Sequence, residues 1–211
     1  MGKRILKVKG KGKARAIPDQ VVITFDIEVR GYDYDQVMTE LNQKTNRLKN
    51  DIEEANFNRE DVKTTDFTIR TNYKYVDGQR IFDGFIANHK LKLTFDLEKE
   101  KLNTLVRVLS VSESEAQFNI NFEVKDKETF KNRVLEDAVQ DAKRNATVIA
   151  ESAGIKLEKI LTINYDLADV VFRSELILED TALQSTAAPI DIEPEEVITT
   201  DTITIEWEIE S

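Results

Sequence analysis

Residues 21–30 read Val-Val-Ile-Thr-Phe-Asp-Ile-Glu-Val-Arg, and their alternation decides the fold class. Val21, Ile23, Phe25, Ile27 and Val29 are apolar, whereas Thr24, Asp26, Glu28 and Arg30 are polar. Successive side chains of a strand point to opposite faces, so a period of two predicts a strand with one dry and one wet face. The pattern returns near the other end, where Val197, Ile203, Ile205, Trp207 and Ile209 alternate with Thr202, Thr204, Glu206, Glu208 and Glu210. Sheets covered on one face only are commonly antiparallel.

Working outward, Gly31 and the Asp33/Asp35 pair offer a turn and a helix N-cap. Val37, Leu41, Leu48 and Ile52 follow at helical spacing, which predicts an amphipathic helix over about 35–55. Phe67, Ile69, Tyr73 and Tyr75 then alternate as a strand, Asp77-Gly78 marks a tight hairpin, and 81–95 forms the return strand. Phe85, Ile86 and Ala87 break the alternation beside Gly84, which predicts a bulge or bend. Leu102, Leu105, Val106 and Leu109 make a short helix. Phe118, Ile120, Phe122 and Val124 form another strand, and a long helix over about 128–153 stops at Gly154. Leu161, Ile163 and Tyr165 form another strand, and the alternating C-terminal strand closes the fold.

The expected architecture is therefore α+β, with two βαββ-like halves, about 1–97 and 112–211, joined by a linking helix at 98–111. The whole chain, 1–211, is expected to be one domain with antiparallel sheets backed by helices, and with an irregular insertion at 167–194. Phe130, Val134, Ala138, Ala142, Ala146 and Ala150 recur every four residues on the long helix. Small side chains there let the helix approach a neighbour closely, either its own sheet or another subunit.

The chain has 211 residues and a formal net charge of -10. Such acidity repels phosphate backbones, so nucleic acid is not an expected partner. No cysteine is present, which removes disulfides and thiolate chemistry. The first 20 residues carry positive charge without a following apolar run, so the cytoplasm is the expected compartment. No segment has the roughly 20 apolar residues of a membrane helix.

Candidates for chemistry are few. His89, the single histidine, falls in the inward register of Phe85, Ala87, Leu91 and Leu93, as a hydrogen-bonded core or edge residue would. Gly10-Lys11-Gly12-Lys13 lacks the GxxxxGK[ST] spacing of a phosphate loop. Lys7, Lys9, Lys11, Lys13 and Arg15 share one parity and would line one face of an extended segment. That row fits a lysine-guarded edge strand, an electrostatic match to Glu206, Glu208 and Glu210, or an anion-binding face. The apolar cluster that includes Phe172, Leu176 and Leu178 fits either an arm that docks on a neighbouring subunit or an extra strand against its own core. No catalytic, cofactor or metal site is expected.

Several short motifs, taken in order, resemble SIMPL-domain proteins. They are Gly10-Lys11-Gly12 followed by Pro18-Asp19, Asp61 to Thr65, Phe67, Tyr73, Gly84-Phe85 and Ala87-Asn88. Ala138, Asp141-Ala142, Ala146, Ala150 and Gly154 on the long helix continue the match, as does the stretch from Pro189 to Pro194. The resemblance implies an α+β fold and a bacterial origin. Relatives are mostly periplasmic or associated with the outer membrane, some form ring-like or channel-like homo-oligomers, and some are linked to oxidative-stress tolerance. It brings no catalytic residues. The functional expectation is a non-catalytic homo-oligomer or protein-interaction protein with an unidentified partner. The alternative is a small-ligand or anion-binding module using the basic N-terminal strand.

Overall fold

The computed structural model describes residues 4–165, 173–176 (backbone only) and 192–210. Its contacts divide the chain into two compact units. The larger unit spans Asp19–Phe122 and Glu175–Pro194, and the smaller takes Met1–Pro18, Glu123–Ser174 and Glu195–Ser211. The fold is α+β, with two antiparallel sheets, as the periodicity predicts.

In the larger unit, β2 (Gln20–Gly31), β3 (Lys63–Val76), β4 (Gln79–Asp96), β5 (Gln117–Glu123) and β7 (Arg173–Leu176) form one sheet, in the order β3-β4-β2-β5-β7. Helices α1 (Tyr34–Glu54) and α2 (Lys99–Ser110) supply the other side of its core. Val21, Ile23, Phe25, Ile27 and Val29 are at most 3% exposed. They share a core with Leu91 and Leu93 of β4, Leu41, Leu48 and Ile52 of α1, and Leu102 and Leu105 of α2. Each such side chain stabilises by about 1.5–3 kcal/mol relative to exposure. Asp33 caps α1, its carboxylate accepting the Gln36 N–H at 2.9 Å.

In the smaller unit, β1 (Ile5–Ala16), β8 (Val197–Glu210) and β6 (Lys156–Asn164) form a sheet in the order β1-β8-β6. Helix α3 (Lys127–Ala153) covers one face and ends at Gly154 in the left-handed region, φ 66°. Helix α3 packs on β1 at close range. A Cβ added at Gly10 would lie 2.2 Å from the Ala138 carbonyl oxygen and 2.6 Å from the Ala142 nitrogen. One added at Gly12 would lie 1.9 Å from the Val134 carbonyl oxygen. Strand backbone rests on helix backbone, so the alanine row packs against its own sheet, as the first of the two sequence readings has it. The row itself is the buried face, while Ile149 is left exposed, because β1 follows the inclined i, i+4 ridge rather than the helix axis.

The aspartates preceding two of these alanines complete the contact. Asp141 accepts the Lys11 N–H at 3.0 Å, and Asp137 accepts the Lys13 N–H at 2.9 Å. Two strand residues advance about 6.7 Å and four helix residues about 6.0 Å, so the two repeats stay in step over this short overlap.

The units do not follow the halves read from the sequence. β1 joins the strands of the second half, and β5 sits beside β2 of the first. The reason is packing. Ile120 and Phe122 of β5 fill the larger core, while the glycines of β1 pack on the α3 backbone at Val134, Ala138 and Ala142.

Replacing Gly10 and Gly12 together by alanine is expected to cost more than about 3 kcal/mol, since each overfills a contact with no room to relax. Lys11→Ala, between them but facing solvent, is expected to change stability by less than about 0.5 kcal/mol. Urea denaturation of the three proteins checks this; a Gly10/Gly12 double variant as stable as the parent would refute the close contact.

Candidate interaction surfaces

Two surfaces stand out, one in each unit. The first is the outer face of the β1-β8-β6 sheet. β1 is an edge strand, and Lys7, Lys9, Lys11, Lys13 and Arg15 are all exposed on the face away from α3. Antiparallel pairing sets Lys7 opposite Glu206, Lys9 opposite Thr204, Lys11 opposite Thr202, Lys13 opposite Thr200 and Arg15 opposite Ile198. Lys7 forms an ion pair with Glu206 at 3.0 Å, and Arg15 lies 3.8 Å from Glu196. The match to an acidic strand therefore holds at Lys7 alone, because Glu208 faces Ile5 and the middle three lysines face threonines.

The second surface was not foreseen from sequence as a surface. β4 pairs with β2 only from Phe85 to Asp96, yet it pairs with β3 as far as Gln79 opposite Val76. Residues 71–76 and 79–84 thus project beyond the sheet as a two-stranded ribbon. Asp77 and Gly78 turn it with φ of 51° and 80°, the signature of a tight hairpin turn. A register shift opposite Gly84, where φ is 88°, lets the ribbon leave the sheet edge, the bulge that the broken alternation predicts.

Aromatic rings run along the ribbon and its base. Tyr73 meets Phe82 edge-on at 6.2 Å between centroids, Phe82 meets Phe85 at 5.4 Å, and Phe85 meets Tyr34 at 5.7 Å. Tyr32 reaches Phe82 at 6.5 Å, and the Arg80 guanidinium lies 3.7 Å over the Tyr73 ring. Asp83 fastens this array. It accepts from the Tyr32 hydroxyl at 3.0 Å and from Asn72 Nδ2 at 3.2 Å, and it pairs with Lys74 at 2.9 Å. The Lys74 ammonium and the Tyr32 hydroxyl hold the Asp83 carboxyl below its ordinary range. Tyr75 is nevertheless 74% exposed and Tyr32 69%, with Ile81 and Val76 also open to solvent.

The alternation of Phe67, Ile69, Tyr73 and Tyr75 predicts the strand but does not say which of its faces is covered. A usable signal was present in the lengths: the strands flanking Asp77-Gly78 run to 14 and 18 residues, against 12 for their neighbour β2. Such a hairpin must overhang its sheet.

Of the apolar cluster near 172–178, Leu176 lies in β7, an edge strand of the larger sheet, so at that point the extra-strand reading describes the backbone. Phe172 and Leu178 lie outside the described residues. Among the described residues no group of His, Asp and Glu side chains is arranged to hold a metal ion. Among the described residues no helix is long and apolar enough to cross a membrane.

His89 is a cross-link. Its Nδ1 lies 3.0 Å from the Thr45 hydroxyl of α1, its Nε2 lies 2.9 Å from the Thr64 hydroxyl of β3, and its ring meets Phe67 edge-on. Burial, followed by the nearby Lys49 charge, lowers its pKa below 6.5. A group with a lowered folded-state pKa binds its proton first in the unfolded chain, so its contribution to stability is lost as pH falls below 6.5. Stability is therefore expected to drop between pH 7.5 and 5.5, and less steeply in His89→Gln. Parallel pH slopes in urea titrations of the two proteins would contradict the assignment.

Comparison with known proteins gives one informative match. No curated protein matches the chain. Among solved structures it is similar to a hydrolase from Listeria innocua, at 10% identity over 94% of this chain and 92% of that one. The TM-score is 0.24, too low for that likeness to carry an argument. The model of the SIMPL family, described as a protein of unknown function (DUF541), matches residues 6–207. That span takes in both sheets and all three helices, and the chain belongs to the SIMPL family.

Proposed function

We propose that this chain is a non-catalytic interaction protein that associates with copies of itself through the β3–β4 ribbon. The observation that carries the reading is the ordered but uncovered aromatic array: Tyr73, Tyr75 and Phe82 share one face of the ribbon and are exposed, yet hydrogen bonds and ring contacts to Asp83, Tyr32 and Phe85 hold their base in place. An apolar patch on a rigid support, rich in tyrosine and arginine, has the composition of an interface centre.

A second copy suits this surface better than an unrelated partner. The chain as a whole carries a charge of -10, so copies repel over most of their surface. Between Arg70 and Phe85, however, three cations (Arg70, Lys74 and Arg80) stand against Asp77 and Asp83, and the ribbon is free of that repulsion. A two-stranded ribbon about 20 Å long presents only a few hundred Å² per face, whereas a stable interface needs about 800 Å² per partner. A two-fold clasp supplies the shortfall: each ribbon lies on the Tyr32–Tyr34 shelf of the other copy, and symmetry makes the contact twice.

Gel filtration with light scattering at micromolar concentration is expected to give a mass at a multiple of 24.2 kDa. Tyr73→Ser/Tyr75→Ser, on one face of the ribbon and touching neither the Asp83 hydrogen bonds nor the core, is expected to shift the population to monomer with an unchanged thermal melt. A monomeric parent, or an oligomer indifferent to the double change, would overturn the reading.

A further inference from the structure

The basic strand has a use that does not depend on the ribbon. We infer that Lys9, Lys11 and Lys13, with the hydroxyl row beside them, form a docking shelf for an extended acidic protein segment. Both ends of the five-residue row are neutralised, Lys7 by Glu206 and Arg15 by Glu196. Among the described residues, the middle three form no ion pair, although the chain has ten more acidic than basic side chains. Opposite them β8 places Thr204, Thr202 and Thr200, and Thr204 in turn faces Asn164 of β6. The face therefore offers ammonium, hydroxyl and amide donors across three strands, with no carboxylate among them.

The backbone beneath is fixed. Gly10 and Gly12 rest on α3, and the N–H groups of Lys11 and Lys13 are held by Asp141 and Asp137. Those two carboxylates are occupied at the strand edge, so they hold the chain rather than cancel the ammonium groups on the open face. A fixed strand sets its alternate side chains about 6.7 Å apart. An extended peptide with Glu or Asp at every second residue repeats its charges at the same interval, so three pairs form in register without bending either chain. The nucleic-acid alternative lacks a stacking surface: Trp207 faces α3, and no aromatic residue lies among Lys9, Lys11, Lys13 and their threonine partners.

Fluorescence anisotropy at low ionic strength tests the proposal, with a labelled peptide alternating Glu and Thr and a second peptide of the same composition with its glutamates in one block. The alternating peptide is expected to bind more tightly than the block peptide, and added salt is expected to weaken it. The variant Lys9→Ser/Lys11→Ser/Lys13→Ser is expected to lose about tenfold in affinity, because each exposed pair is worth a factor of a few. Lys63→Ser/Lys92→Ser/Lys143→Ser, which removes the same charge from exposed lysines elsewhere, is expected to bind like the parent. Equal loss in both triple variants, or no preference for the alternating peptide, would overturn the proposal. Tighter binding of inorganic polyphosphate or single-stranded RNA would also overturn it, by making the shelf a general polyanion surface. Circular dichroism of both variants separates loss of binding from loss of fold.

Discussion

The contact of Gly10 and Gly12 with the backbone of α3 constrains everything built on the smaller unit. Helices usually rest on sheets through side chains, which leave several ångströms of adjustable packing. Here the side chains are absent on the strand and reduced to methyl groups on the helix, so the two backbones fix one another directly. The same proximity brings Asp137 and Asp141 within reach of the strand edge, where they accept two N–H groups that would otherwise be open to another strand. One close approach thus sets the register of β1, closes part of a sheet edge and fixes where the lysines emerge.

The larger unit obeys a different logic. Its core is a conventional layer of large apolar side chains between sheet and helices, with Thr45–His89–Thr64 as a polar tie through one corner. Because that core is complete without the end of the hairpin, the hairpin is free to extend past it. The Asp83 hydrogen bonds give the overhang a defined form despite the lack of a third strand. Isolated two-stranded ribbons are marginal in water, so a tethered and cross-braced one is a feature that the sequence specifies rather than a frayed end.

Much of this was legible in the residues. The alternation at 21–29 and 197–209 identified two half-buried strands, and Asp33, Gly154 and Asp77-Gly78 marked caps and turn where the structure has them. What escaped was whatever depends on a partner distant in sequence. Gly10 and Gly12 are uninformative until Ala138 and Ala142 are known to lie against them, and only one reading of the lysine row, its match to the acidic strand, points β1 away from its neighbour β2 and toward β8. The exposure of Tyr73 and Tyr75 escaped for a related reason, since a period of two reports that a strand has two faces and not that either is covered. Some of the residues that carry the family resemblance, Gly10, Gly12, Ala138, Asp141 and Ala142, are those of the strand–helix contact.

The pairing of β1 with β8 also has a consequence for the growing polypeptide. On the ribosome, Ile5–Ala16 emerges well before its partners α3 and β8. At about 5–20 residues per second, the strand must wait roughly ten to forty seconds for β8. Residues 19–122 can collapse in the interval, since their core is assembled almost wholly from their own side chains. A nascent segment rich in lysine and glycine is well suited to that delay, being too hydrophilic to be captured by the hydrophobic surfaces forming beside it.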